Sequence, residues 1–118
     1  MTTAIPPKLR SLGTNLVAGT TNTIYTCPAN HTCKIVLLFI ANKGSGNKTV
    51  QLDWYDASAN ATYAIVGGYT ISAYNYLTFD QSYLVLNAGD SFKVTPEAAS
   101  TMDATVTVEE FFDPANRE

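Results

Sequence analysis

Strand-like segments between turn clusters run through almost the whole chain, and helical periodicity is nearly absent. Lys48–Tyr55 alternates apolar and polar residues, which is typical of a strand with one buried face. Lys34–Ala41 is apolar at consecutive positions, which indicates a central strand covered on both faces. Eight to ten short strands at spacings of about 10 residues predict an all-β fold, an antiparallel β-sandwich of jelly-roll type.

The ends of the chain differ from its middle. Pro6-Pro7 favours an extended backbone and removes two hydrogen-bond donors, and no strand pattern surrounds it. The sequence therefore predicts three parts: an extended N-terminal arm (1–13), the β-sandwich domain (14–112) and an acidic C-terminal tail (113–118). We expect the arm to make its main contacts with another chain.

Charge is also distributed unevenly between the two ends of the chain. Residues 1–96 carry six Lys/Arg against four Asp, whereas residues 97–118 carry six acidic residues against Arg117. One interpretation is an arm and a tail that meet neighbouring subunits of opposite charge. The other is that both ends are simply solvated.

Composition excludes several classes of protein. Charged residues make up 14% of the 118 residues, well below the usual share of about 25%, which argues against disorder and against a solvated helical bundle. The absence of an apolar run of about 20 residues argues against a membrane-spanning helix, and no basic stripe suggests nucleic acid. The first residues lack the apolar segment of a signal peptide, so we expect no secretion.

No motif in the sequence predicts catalysis or a cofactor. His31 is the single histidine and lies between Cys27 and Cys33, but no glycine-rich elbow or helix is present to form an oxyanion hole. One His and two Cys are too few for zinc. Gly44–Thr49 resembles the end of a phosphate loop, yet it lacks the glycine before lysine and a following helix. We expect no enzyme activity, no cofactor and no resident metal.

The carboxylates of the middle region lie at strand ends and in turns, without the spacing of a calcium loop. Turn formation is their default role, although calcium stays open. They are Asp53, Asp56, Asp80 and Asp90.

Cys27 and Cys33 bracket the Pro28–Thr32 turn, so two strands leaving this turn could bring them face to face. A disulfide is then geometrically feasible. Two free buried thiols are the alternative, which we favour for a chain assembled in the cytosol.

Aromatic residues are numerous, with seven Tyr, five Phe and one Trp. Trp54 is in register with Val50 and Leu52, which predicts that it is buried against the central strand. Tyrosine is a favoured anchor of protein interfaces. The predicted interface residues are Ile5, Pro6, Pro7, Leu9, Leu12, Tyr69, Tyr74, Tyr76, Phe111 and Phe112.

Three segments carry a resemblance to known proteins. Asp53–Ala59 with Tyr63, the following Tyr83–Thr95, and Val106–Glu110 are similar to stretches of small virion structural proteins of tailed bacteriophages. The resemblance covers roughly residues 35–112. It implies a β-sandwich that decorates or joins parts of a particle, and it supplies no catalytic residues.

The sequence therefore predicts a non-enzymatic virion protein, assembled in the host cytoplasm, that acts as a capsid decoration (cement) subunit. Its expected partners are copies of itself, as a trimer, and other virion proteins such as the major capsid protein; neither nucleic acid nor membrane is expected. A neck, tail or baseplate component is the alternative within the same class. A carbohydrate-binding module that attaches to a host glycan is the alternative from another class.

Overall fold

The computed structural model describes residues 6–80 and 84–113 and places them in nine strands that form two antiparallel sheets. The strands are β1 (Lys8–Asn15), β2 (Asn22–Thr26), β3 (His31–Asn42), β4 (Lys48–Asp56), β5 (Ala61–Ile71), β6 (Tyr76–Phe79), β7 (Leu84–Asn87), β8 (Ser91–Pro96) and β9 (Met102–Phe112).

The strand order is that of a jelly roll. One sheet has the order β1-β9-β3-β6, with β7 also paired to β3, and the other has the order β2-β8-β4-β5. β6 pairs with Leu38–Ala41 and β7 with Thr32–Ile35, so they lie end to end along the same side of β3. Counting them as one interrupted strand leaves eight strands in two four-stranded sheets, which is the jelly-roll architecture. The predicted fold class is confirmed.

The core lies between the inner faces of the two sheets. Along β9 every second residue is buried from Met102 to Glu110, and Val50 and Leu52 of β4 face it from the other sheet. For β4 this is the alternation that the sequence predicted, and β9 follows the same pattern. Each fully buried aliphatic side chain of this kind contributes roughly 1.5–3 kcal/mol by leaving water.

β3 is central, as predicted, because it pairs with β9 on one side and with β6 and β7 on the other. Its two faces are not equally covered, however. A bulge between Ile35 and Leu37 shifts the alternation, so that Leu38 and Ile40 point into the core while Phe39 is 38% exposed on the outer face. The bulge explains how a continuous apolar run serves a strand with one buried face.

The N-terminal segment corrects the prediction of a free arm. Lys8–Asn15 pairs along its whole length with β9 of the same chain and forms the edge strand of its sheet. Leu12 packs against the core, and Arg10 Nε lies 3.5 Å from Glu110 Oε2. This basic residue therefore contacts an acidic residue of its own chain, although the sequence suggested a neighbour. Pro6 and Pro7 precede the strand and are exposed.

β5 runs without a break through Gly67-Gly68. Two register shifts against β4 leave Ile65 and Gly68 as extra residues, and Gly68 has a φ of 116° that favours glycine. The tight turn at Asn87–Asp90, in which Asp90 N donates to Asn87 O at 2.9 Å, connects strands of opposite sheets and so does not form a hairpin.

Trp54 packs against the core but is only half-buried at its margin, so its predicted burial is only partial. Its ring centroid lies 5.5 Å from that of Tyr63, and its indole N–H donates to Asp90 Oδ2 at 3.3 Å. The indole lies on β4, in the sheet opposite the central strand β3.

Candidate functional site

One side of the sandwich is open to solvent between β5 of one sheet and β6 and β7 of the other. A groove of about 240 Å³ runs into the core there. The bulge in β5 turns Ile65 towards this groove, while Phe79 and Leu84 contribute from the opposite sheet. The remaining lining residues are Ile35, Leu38, Leu52 and Phe92.

Large apolar side chains are exposed on the strands and the turn that border this open side, and on the outer face of the sheet beside β6. Tyr76 at the start of β6 is 61% exposed and packs edge-on against Phe39 with 5.8 Å between ring centroids. Tyr74, 74% exposed, lies in the turn from β5 to β6 and has a φ of 59°. β5 adds three more exposed apolar side chains. We call the whole set the aromatic edge: Phe39, Tyr63, Ile65, Tyr69, Tyr74 and Tyr76.

The predicted interface residues fall into three separate places. Tyr69, Tyr74 and Tyr76 are exposed members of the aromatic edge and lie on β5, in the β5–β6 turn and at the start of β6. Pro6, Pro7, Leu9 and Leu12 lie before or along β1, at the opposite edge of the sandwich. Leu9 is 64% exposed, whereas Leu12 packs against the core. Phe111 and Phe112 lie at the end of β9, and Ile5 lies outside the described residues.

The end of β9 lies beside the Pro28–Thr32 turn. Phe112 is opposite His31 in the register, and their rings pack edge-on at 5.5 Å. Lys34 Nζ lies 5.5 Å from the ring centroid of Phe111. His31 Nδ1 is 2.9 Å from the carbonyl oxygen of Ala29, which fixes the imidazole on the turn.

A buried polar cluster occupies the same end of the sandwich, between the sheets. The Tyr25 hydroxyl of β2 donates to Glu110 of β9 in a short hydrogen bond, and the Cys33 sulfur lies 3.2 Å from the Tyr25 oxygen. Cys27 Sγ lies 2.9 Å from Cys33 Sγ and 3.4 Å from the main-chain oxygen of His31. The Cys/His pair considered from sequence is thus a contact with the His31 backbone.

The thiols of this cluster influence each other's protonation. Hydrogen bonding from Cys27, aided by Tyr25, lowers the pKa of the Cys33 thiol to about 7. The hydrogen bond to Cys33, with burial, raises the pKa of Cys27 well above its usual range. Burial and the hydrogen bonds to Cys33 and Glu110 raise the pKa of Tyr25. The thiolate therefore forms first on Cys33.

Two of the four carboxylates of the middle region, Asp56 and Asp90, hold turns, as the sequence predicted. Asp90 is completely buried and accepts hydrogen bonds from Ala57 N at 2.9 Å, Asn87 N at 3.0 Å and the Trp54 indole. It thereby connects the β4–β5 turn to the β7–β8 turn. Asp56 accepts hydrogen bonds from the Ser58 hydroxyl, at 2.8 Å, and from the Ser58 main-chain N–H. Asp53 accepts a hydrogen bond from the side-chain amide of Gln51 on the same strand, β4. Asp80 is exposed after β6.

Within residues 6–80 and 84–113, no group of three or more His, Cys, Asp or Glu side chains has the arrangement to hold a metal ion. In the same ranges, none of the elements is a helix of the length and apolarity needed to span a membrane.

Sequence comparison identifies no relative: no family model matches, and no curated protein does. Structure comparison does find similar folds. A subunit of Bacillus endospore appendages, described as a novel family of disulfide-linked pili, matches with a TM-score of 0.58 and 11% identity over 92% of this chain and 89% of that one. A chain of the T13 IBDV viral particle matches with a TM-score of 0.55 and 8% identity over 96% of this chain and 33% of that one.

A Clostridium thermocellum xylanase with CBM22-1 and GH10 modules matches over 80% of this chain and 19% of that one, with 12% identity and a TM-score of only 0.40. The chain thus has an antiparallel β-sandwich fold that also occurs in subunits of a pilus and of a virus particle. Fold alone does not assign function, so function must be argued from the surface of this chain.

Proposed function

We propose that the chain is a non-enzymatic structural subunit of a virion, a capsid decoration (cement) subunit that works by contact with neighbouring subunits. The observation that carries this proposal is the aromatic edge. It combines a long edge strand, β5, with six large apolar side chains that the isolated chain leaves in water. Clustered exposed apolar groups of this kind mark interaction sites, because monomeric proteins normally keep such patches small.

The chemistry of the aromatic edge suits a permanent protein contact. Tyrosine buries a large rigid face at low entropic cost and keeps one polar tip, and such residues often contribute 2 kcal/mol or more when truncated at an interface. The outer side of β5 also presents unpaired main-chain groups, because it is the last strand of its sheet. A neighbouring subunit that covers this side would bury the exposed aromatic faces and pair the main-chain groups of β5.

The partners we propose are further copies of the chain, arranged as a trimer, and another virion protein such as the major capsid protein. The similar folds in a pilus and a virus particle support this choice only at the level of architecture. A neck, tail or baseplate position would use the same surface. The phage assignment rests on the sequence resemblance.

The polar groups support a role without turnover. His31 is held against a carbonyl oxygen and an aromatic ring, and Asp90 is buried among three donors. Glu110 is buried, accepts from the Tyr25 hydroxyl and forms an ion pair with the exposed Arg10. Each therefore has a structural task, and the proposal includes neither a cofactor nor a catalytic residue.

Sedimentation velocity of the purified chain over a range of concentrations tests self-association. We expect a trimer that persists in about 1 M salt, where screening over about 3 Å removes most of the electrostatic contribution. Tyr69→Ser combined with Tyr76→Ser should shift the equilibrium to monomer. Val17→Ser also replaces an exposed apolar side chain, but outside the predicted interface, so it is the matched control and should leave the equilibrium unchanged.

A chain that stays monomeric at every concentration would overturn the trimer. Binding of the wild-type chain on a glycan array, lost in the Tyr69→Ser/Tyr76→Ser variant, would instead favour the carbohydrate-binding alternative.

A further inference from the structure

Two cysteines from opposite sheets meet at the end of the sandwich. Cys27 directly follows β2, and Cys33 lies within β3 of the other sheet. Their side chains are 1% and 0% exposed, and their sulfur atoms lie 2.9 Å apart. A disulfide has a sulfur–sulfur distance of about 2.05 Å, so a shift of about 0.9 Å would close the bond.

The backbone holds both cysteines in this position. Cys27 N donates to Asp90 O at 2.9 Å and Cys27 O accepts from Gly89 N at 3.0 Å, which fixes Cys27 on the β7–β8 turn. Cys33 is paired on both sides in its sheet, with Leu86 and with Glu110. The juxtaposition of the sulfurs is therefore imposed by two independent sets of main-chain hydrogen bonds.

We propose that Cys27 and Cys33 form an intramolecular disulfide that fastens the two sheets together when the protein passes from a reducing to an oxidising environment. The bond itself concerns only the single folded chain, whereas its exposure to an oxidising environment rests on the proposed function. Disulfides persist outside the reducing cytosol, and a particle released from a cell makes that transition.

The chemistry requires an oxidant, for which a small-molecule disulfide such as oxidised glutathione is sufficient. The Cys33 thiolate, favoured by its lowered pKa, attacks one sulfur of glutathione disulfide; one glutathione thiolate leaves and a mixed disulfide forms. Cys27 then loses its proton and attacks the Cys33 sulfur, and the second glutathione thiolate leaves. The protein loses two protons and two electrons, and glutathione disulfide is reduced to two thiols.

Because both sulfurs are buried, the oxidant reaches them through local opening of the Pro28–Thr32 turn, in which Pro28, Ala29 and Asn30 are exposed. The rate of oxidation should therefore follow the opening of this turn. The product constrains a closed loop of seven residues. By the chain-entropy relation, we expect the Tm of the oxidised chain to rise by roughly 5–10 °C over that of the reduced chain.

The test equilibrates the purified full chain in glutathione buffers of increasing oxidised-to-reduced ratio and then quenches with acid. Intact mass spectrometry should show a loss of about 2 Da, and thiol titration after denaturation should show both thiols consumed. The higher Tm should be abolished by a reductant and absent in Cys27→Ser/Cys33→Ser. The mass and thiol measurements need only the wild-type chain, so they decide the matter even if that variant folds poorly.

Three results would overturn the proposal. They are an unchanged mass in the most oxidising buffer, a mass increase from stable glutathione adducts on separate cysteines, and covalent dimers on a non-reducing gel. None of these results would bear on self-association through the aromatic edge.

Discussion

Asp90→Ala should be one of the most destabilising single substitutions in the chain. The carboxylate is 0% exposed and accepts from two backbone N–H groups at 2.9 and 3.0 Å and from the Trp54 indole at 3.3 Å. It connects turns that are 33 residues apart in sequence. Removing it leaves three donors without their acceptor at the margin of the core.

The magnitude follows from these contacts. Hydrogen bonds to a charged group contribute about 1.5–3 kcal/mol each, so the two short ones total roughly 3–6 kcal/mol. Loss of the carboxylate also removes its desolvation cost, and water can reach the half-buried Ala57 and Asn87. We therefore expect Asp90→Ala to lower the free energy of unfolding by about 2–4 kcal/mol.

Urea unfolding followed by the fluorescence of Trp54, the single tryptophan, is the appropriate assay because the indole donates to Asp90 itself. Circular dichroism should give the same midpoint. Asp80→Ala removes the same charge from an exposed position and should change stability by no more than about 0.5 kcal/mol. Equal effects of the two substitutions would refute the structural role of Asp90.

Two further substitutions test β9. Val106→Ala opens a cavity in the core and should lower the free energy of unfolding by about 1.5–3 kcal/mol, measured with urea. Thr105→Ala on the outer face is the control and should be nearly neutral. Similar losses of stability for the two variants would contradict the register. The hydrogen bond from Asn15, aided by Lys43, lowers the pKa of Asp103 from its ordinary 3.8. The ionised Asp103 therefore stabilises the fold above pH 3.8, and this contribution is lost as the pH falls through the folded-state pKa. Wild type and Asp103→Asn should then converge in stability in acid. A difference in stability that does not change with pH would contradict this.

Much of the fold could be predicted because local patterns determine it. The alternation in β4 and β9 places Val50, Leu52, Val106 and Val108 in the core. β1 was missed for a physical reason. Its sequence, KLRSLGTN, shows almost no buried face, and its stability comes from backbone pairing with a strand about 90 residues later.

The candidate site was predictable only in part. Tyr69, Tyr74 and Tyr76 were singled out as aromatic residues, and all three are exposed. Ile65 and Phe39 were missed, because two bulges that reset the strand alternation decide which way they point. The buried contact of Tyr25 with Glu110 gave no sequence signal, since it depends on how the two sheets face each other.

The central claim is that the chain acts by contact through the aromatic edge within a particle, and cryo-electron microscopy of the purified particle tests it most directly. We expect the chain in a fixed copy number set by the particle's symmetry, with Tyr69 and Tyr76 covered by a neighbouring subunit. Absence of the chain from particles that contain the other virion proteins, or a bound chain whose aromatic edge still faces solvent, would contradict it.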